Sequence, residues 1–287
     1  MNETDPQKTW YLPINVVLNP KKSNKVRLVW DAAASVDGVS LNSQLLSGPD
    51  MLTSLPAVIS RFRERRIAFG ADIREMYHQI RIRDADKQAQ RFLFRSSAKD
   101  SPKIYVMDVA TFGSTCSPCS AQFVKNQNAL EFASEYPDAV AAIIHQHYVD
   151  DYFDSVDDEY EAERRAKEVK YIHSKAGFDI VNWVSNSNNI LHNIGEREDG
   201  QLVHLNLNKE TENERVLGII WNPGSDVFSF STEHREDLKR YLNGSFKPTK
   251  RVILSCVMGF FDPLGLLSPF TVHGRMLVQD LWRTGCE

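Results

Sequence analysis

Two aspartates, Asp150 and Asp151, stand side by side where two apolar runs meet. Residues 141–144 are Ala-Ala-Ile-Ile and residues 147–149 His-Tyr-Val; Tyr152 and Phe153 follow on the other side. A chain that is apolar, then doubly charged, then apolar again has few ways to fold. The apolar runs go inside and the adjacent charges cannot follow them without a partner. The pattern predicts strand, tight acidic turn, strand. Two neighbouring carboxylates repel unless a cation lies between them. Asp also favours turns simply by bonding its own backbone. The pair alone leaves both a plain turn and a cation site open.

A third carboxylate bears on that choice. Residues 67–73, Ile-Ala-Phe-Gly-Ala-Asp-Ile, read as a strand with Ile67, Phe69, Ala71 and Ile73 on one face and Asp72 on the other. If this strand lies beside the acidic hairpin, three carboxylates converge. Hard oxygen donors suit Mg2+. Two such ions about 3.5–4 Å apart can activate a hydroxyl and stabilise a leaving pyrophosphate.

The rest of the chain is a mixture without internal repeats. Residues 16–18 and 26–30 are apolar runs flanking the turn-forming stretch 19–24, which predicts two strands and a turn. Gly48-Pro49 breaks the chain before a helix over 51–62. Ser117 reads as an N-cap and Pro118 as the first helical residue of a helix reaching about Tyr136. A charged amphipathic helix spans 159–175 and ends at Gly177. Short strands are expected near 180–184, 202–207 and 216–221. From 233 onward the pattern is mostly helical, interrupted by Asp262-Pro263-Leu264-Gly265. The fold class is α+β with a C-terminal helical lobe.

Charge and cysteine content narrow the function classes. The net charge of −4 argues against coating nucleic acid by bulk charge. Residues 20–95 nevertheless carry fourteen Lys/Arg against eight Asp/Glu, and residues 131–168 three against twelve. A basic lobe beside an acidic one suits an enzyme that grips phosphates and holds cations, though two solvated faces give the same count. Four cysteines are too few for a disulfide scaffold. The first six residues lack the basic and apolar regions of a secretory signal, and no apolar run is long enough to span a membrane. An intracellular, cytoplasmic protein is expected.

Tyr148-Val149-Asp150-Asp151 after an apolar strand resembles the carboxylate hairpin of reverse transcriptases. Ala71-Asp72-Ile73 with Tyr77 five residues after the aspartate is similar to that family's first carboxylate motif. Phe112-Gly113, Ser117-Pro118 and Ala121-Gln122 resemble the segment lining nucleotide and template. Lys21, Lys22 and Arg27 are similar to the basic fingers hairpin, and residues 216–221 to the strand pair that grips a primer end. Finer features resemble the BEL/Pao class of long-terminal-repeat retrotransposons: Thr9-Trp10-Tyr11-Leu12-Pro13, Ser40-Leu41-Asn42, Trp183-Val184-Ser185-Asn186-Ser187, and Phe261-Asp262-Pro263-Leu264-Gly265-Leu266.

The resemblance implies a right-hand polymerase of fingers, palm and thumb. Its palm would be an antiparallel sheet backed by helices, and its fingers would lack their earliest segment. It places fingers at 1–47 and 81–116, palm at 48–80 and 117–230 with the primer-grip strands, and the start of a thumb or connection at 231–287. It implies RNA-directed and DNA-directed DNA synthesis with two Mg2+ ions, or Mn2+, held by Asp72, Asp150, Asp151 and the Ile73 carbonyl. Lys21, Lys22, Arg27, Tyr77, Phe112 and Gly113 would meet the deoxynucleoside triphosphate, with Tyr77 excluding a ribose hydroxyl. Tyr148, Val149, Pro118, Gln122, Leu217 and Gly218 would meet primer and template. RNA template, DNA primer and RNA/DNA hybrid are the implied partners, inside virus-like particles, with protease, ribonuclease H and integrase segments elsewhere in a polyprotein and no room for them in 287 residues.

Asn182 departs from the family pattern, which has a lysine there. A catalytically inactive retrotransposon fragment, at most binding nucleic acid, is the second reading, and another two-metal enzyme on a similar palm the third. Cys116 and Cys119 have metal-ligand spacing without a second pair nearby, so zinc is not expected. His145 and His147 share one strand face, as metal ligands or, more ordinarily, as half-exposed strand residues; Asp154, Asp157, Asp158 and Glu159 read as a solvated turn, and Arg61 through Arg66 as the wet end of a helix or a contact to template phosphates.

Overall fold

The computed structural model describes residues 9–18, 26–194, 214–230, 238, 240, 241 and 243–285. The chain divides into two compact units, one of Met1–Thr53, Ala71–Tyr152 and Arg164–Asn182, the other of Ser54–Gly70, Phe153–Glu163 and Trp183–Glu287.

In the first unit, β1 (Ile14–Leu18) and β2 (Val26–Trp30) form the antiparallel hairpin predicted, with Val17 opposite Arg27. A two-residue pair, β3 (Ser35–Val36) and β4 (Val39–Ser40), leads into the single helical turn α1 (Leu41–Gln44). Ser40 and Ser43 close a reciprocal capping box at its start. Leu12, Trp30, Ala32 and Leu41 bury together as the core of this region. Asn42 reaches from α1 to bond the Gly113 carbonyl (2.9 Å) and the Thr115 N–H (2.8 Å), which gives the Ser-Leu-Asn motif a structural task.

The second unit holds α2 (Leu55–Phe62), which starts four residues later than the expected 51 because Ser54 is its N-cap and a proline occupies its first turn. Phe62 is fully buried, with the rings of Phe153 and Trp221 at 5.3 and 4.9 Å.

The principal sheet has four strands in the order β10-β5-β9-β8 once β5 (Ile67–Ile73), the hairpin β6 (Arg91–Phe94) and β7 (Lys103–Val106), β8 (His147–Tyr148), β9 (Asp151–Val156) and β10 (Ile180–Ser185) are numbered. Strand β5 is interior to the sheet, so the one-face reading of 67–73 was too narrow. Every residue of it is buried except Asp72, which is partly exposed.

Helix α3 (Ser117–Leu130) begins at Ser117 with Cys116 as its cap residue; the Ser117 hydroxyl donates to the Thr111 carbonyl (2.8 Å). It stops at Leu130 rather than near Tyr136, and Pro137 opens a new helix, α4 (Pro137–His145). Residues 141–144 are therefore helical, not the strand expected. Ala139, Val140, Ala142 and Ile143 are buried at helical spacing, and a four-residue apolar run cannot by itself distinguish the two structures. Strand β8 shrinks to two residues.

Helix α5 (Glu159–Lys175) has the predicted bounds, and Gly177 follows with φ +75°. Asp154 lies in β9 and is buried, its carboxylate accepting the Ser155 N–H (2.8 Å), so the acidic run is not a solvated turn throughout. Asp157 pairs with Arg65 and Arg63 with Asp226, which ties part of the basic 61–66 stretch down.

After α6 (Asn188–Ile194), three strands β11 (Glu214–Val216), β12 (Ile219–Asn222) and β13 (Val227–Ser229) form an antiparallel sheet. The expected strand near 202–207 lies outside the described residues. Helices α7 (Lys250–Val257) and α8 (Ser268–Arg283) pack on each other at the C-terminus. Among the described residues no helix is long and apolar enough to cross a membrane.

Candidate active site

Backbone hydrogen bonds stitch the end of β5 to its neighbours within the first unit. The Ile73 N–H donates to the Asp150 carbonyl at 2.9 Å, and the Arg74 N–H to the Asp179 carbonyl at 2.8 Å. Arg74 also forms an ion pair with Asp179 (3.0 Å). Asp72 thus stands one residue from a direct bond to the acidic hairpin.

The hairpin is tighter than its sequence suggests. His147 pairs with Tyr152 and Tyr148 with Asp151, which leaves Val149-Asp150 as a two-residue loop. Val149 has φ +58°. A β-branched residue in the left-handed region is an outlier, and a two-residue hairpin loop ordinarily carries Asn or Gly there. Such strain costs about 1–3 kcal/mol and persists only where surroundings enforce it. Gln122 on α3 is one enforcer: its side-chain amide donates to the Val149 carbonyl (3.0 Å), and the residue is buried. Gln122 therefore holds the turn instead of lining an open groove.

The three carboxylates share one electrostatic field. Burial, then the negative charges of Asp150 and Asp72, push the Asp151 carboxyl up to about 7. Asp72 Oδ1 accepts a hydrogen bond from the Asn182 amide (2.8 Å). Among the described residues, no three Asp, Glu, His or Cys side chains are drawn together tightly enough to hold an ion as they stand. The carboxylates are electrostatically coupled neighbours and not a closed cage. An oxygen-only donor set carrying this much negative potential still fits a divalent cation.

Tyr77 lies in a single 3-10 turn (Met76–Gln79) that follows Glu75 in the left-handed conformation. Its ring packs edge-on against Phe112 (4.9 Å) and beside the cluster of Ile73, Met76, Ile80, Ala110, Ala121 and Phe178. Burial and the Asp150 charge raise its hydroxyl pKa, which keeps it protonated. Gly113 has φ +106°, and a Cβ there would lie 2.2 Å from the Trp30 carbonyl oxygen. The space a side chain would take at Gly113 is thus filled by the protein's own backbone.

Pro118 and Tyr148 are partly buried. Arg27 is in β2; Lys21 and Lys22 lie outside the described residues. Leu217 and Gly218 form the turn between β11 and β12, both with positive φ, in the second unit. The run 216–221 accordingly holds the end of β11, the turn and the start of β12.

Three groups are buried together in ways the sequence does not signal. His147 is buried with its Nε2 3.1 Å from that of His173, which corrects its half-exposed reading; His145 is exposed at the end of α4. Lys125, fully buried in α3, donates to the Ile143 carbonyl (3.0 Å), and burial lowers its pKa to about 7. The same burial depresses both imidazoles, with the Lys125 charge adding to it.

Residues 19–183 match the family described as reverse transcriptase (RNA-dependent DNA polymerase), and residues 249–287 the Pao retrotransposon-like RNaseH-like domain. Among solved structures, the fold is similar to a foamy viral protease-reverse transcriptase in complex with double-stranded DNA, with a TM-score of 0.53, 15% identity and coverage of 86% of this chain and 35% of that one. It is also similar to a foamy viral protease-reverse transcriptase in complex with an RNA/DNA hybrid, with a TM-score of 0.55, 13% identity and coverage of 94% and 30%. The chain spans about a third of the length of these structures. No curated protein sequence matches it.

Sheet, backing helices and acidic hairpin define a right-hand polymerase fold. The chain belongs to the reverse transcriptase family, and its C-terminal match marks it as the BEL/Pao retrotransposon type. That match also amends the expectation that no ribonuclease H portion fits, since the last 39 residues resemble part of one.

Proposed function

We propose that this chain is the polymerase portion of a retrotransposon polyprotein that copies RNA, and then DNA, into DNA. One observation carries the reading: the Ile73 N–H bond to the Asp150 carbonyl sets Asp72 beside the Asp150-Asp151 turn. Reverse transcriptases work with divalent cations, and Asp72, Asp150, Asp151 and the Ile73 carbonyl are the groups that would hold two Mg2+ ions, or Mn2+. Bound there, the cations neutralise charge on the attacking primer oxygen and the leaving pyrophosphate.

The protein's own part is positioning and exclusion. Tyr77, braced by Phe112, is a ring too bulky to admit a ribose 2′-hydroxyl. Arg27 with Lys21 and Lys22 would neutralise the triphosphate, Arg27 with a planar fork that bonds two oxygens. Phe112 and Gly113 would shape the nucleotide pocket, Gly113 by letting Trp30 approach. Tyr148, Val149 and Pro118 would meet the primer and template, Gln122 acting through Val149, and Leu217-Gly218 the primer end.

On this reading fingers comprise 1–47 and 81–116, palm 48–80 and 117–230, with a thumb or connection beginning at 231. The partners are RNA template, DNA primer and their hybrid in cytoplasmic virus-like particles, with protease and integrase elsewhere in the polyprotein and the ribonuclease H-like portion represented by residues 249–287. Primer extension on poly(rA)/oligo(dT) with Mg2+ or Mn2+ tests it. Incorporation of dTMP supports the polymerase; a folded chain that retains the hybrid without extending it supports the inactive fragment.

A further inference from the structure

Strand β10 carries one residue more than β5 requires. The Arg74 N–H bonds the Asp179 carbonyl and the Asn186 N–H the Ala68 carbonyl (3.2 Å). Six residue steps along β5 and the residue after it, from 68 to 74, are thus matched by seven along β10 and its two flanking residues, from 179 to 186. An extra residue in one strand of an antiparallel pair is a β-bulge, a device that re-aims a side chain and recurs beside active sites. Between those two bonds Asn182 has φ +55°, in the left-handed region.

Backbone preference alone would select glycine at that position, with asparagine the next most tolerant residue. Glycine has no side-chain amide to offer. Asn182 uses its amide to donate to Asp72 Oδ1 at 2.8 Å in a partly buried setting. A conformation that suits glycine is therefore occupied by the tolerant residue that also supplies a donor.

We propose that Asn182 is a positioning residue for Asp72: the bulge brings an uncharged N–H donor against this carboxylate and fixes its orientation for a divalent cation. The absence of charge is the point of the arrangement. At this position in this chain, a lysine would set an ammonium against the carboxylate and compete with a cation for it. The inference rests on the reading of Asp72 as a cation ligand.

The test compares the parent with Asn182→Gly, which keeps the backbone and removes the donor, and with Asn182→Lys, which keeps a donor and adds charge. Mn2+ binding to the protein alone is read by electron paramagnetic resonance, and the Mg2+ concentration at half-maximal primer extension is read alongside it. Loss of a group that orients a metal ligand typically weakens metal affinity roughly 10-fold or more. Asn182→Gly is expected to weaken Mn2+ binding and raise the Mg2+ requirement by about that factor with an unchanged melting temperature, and Asn182→Lys by more. Parent-like metal dependence in both variants overturns the proposal, as does a lowered melting temperature with parent-like Mn2+ affinity. Asp72→Asn separates the two ideas. If it leaves Mn2+ binding intact, the ligand reading itself fails; if it abolishes binding while Asn182→Gly does not, only the role of Asn182 fails.

Discussion

Replacing Lys125 by methionine should stabilise this protein at neutral pH and destabilise it at high pH. Burial lowers the Lys125 pKa from 10.5 to about 7. At about 1.4 kcal/mol per pH unit, the fold forfeits about 5 kcal/mol at and below pH 7, where both folded and unfolded chains are protonated. Between pH 7 and 10.5 the unfolded chain binds a proton that the folded one does not, so stability climbs with pH. Above 10.5 the cost has gone. Methionine has a similar length and no charge, so the variant lacks this slope. It also leaves the Ile143 carbonyl, at the end of α4, without the amino group, which costs about 1–3 kcal/mol. The net expectation is a gain of about 2–4 kcal/mol at pH 7 that vanishes or reverses by pH 10. His147 and His173 remain neutral across this window because burial depresses both pKa values, so neither contributes a competing slope. Urea unfolding of parent and variant at pH 7.0, 8.5 and 10 reads the difference directly. A Lys125→Met protein less stable than the parent at pH 7, or a difference constant across the series, refutes the reasoning.

Gly113→Ala is expected to cost about 2–4 kcal/mol in thermal unfolding, since its Cβ meets a backbone oxygen that cannot swing aside; an unchanged Tm means the Trp30 contact is wrong. Tyr77→Val should raise ribonucleotide incorporation relative to deoxynucleotide at least tenfold in single-nucleotide extension, whereas an unaltered ratio removes Tyr77 from sugar selection. The Asp151 carboxyl is raised from 3.8 to about 7, so folding favours its neutral form: that stability is full below pH 3.8 and lost as pH rises through 7. Mn2+ should therefore raise the Tm more at pH 8 than at pH 5.5, and equal shifts at both values speak against binding by this carboxylate.

What was legible in the sequence was local. The 67–73 strand, the 159–175 helix and its Gly177 stop, and the β1/β2 hairpin each follow from apolar spacing and turn residues that neighbours in the chain supply. The 141–144 run misled because four apolar residues satisfy a strand and a buried helix equally, and only the tertiary contacts of Val140 and Ile143 decide. Asp72, Asp150 and Asp151 could be picked out by motif, and the Ile73–Asp150 bond bears on their proximity. The partners of Asn182, Lys125 and His147 could not, because each lies at least 18 residues away in the chain. A bulge depends on the register of two strands, and a lone lysine in a helix reads as solvated until something covers it.

The central claim is that the carboxylates of Asp72, Asp150 and Asp151 act together on a primer end. Asp150→Asn tests it most directly, because the substitution removes one charge and leaves the Asp150 carbonyl free to accept from Ile73. Primer extension by this variant should fall by orders of magnitude at saturating Mg2+ while its melting temperature stays at or above that of the parent. Extension at the parental rate contradicts the claim.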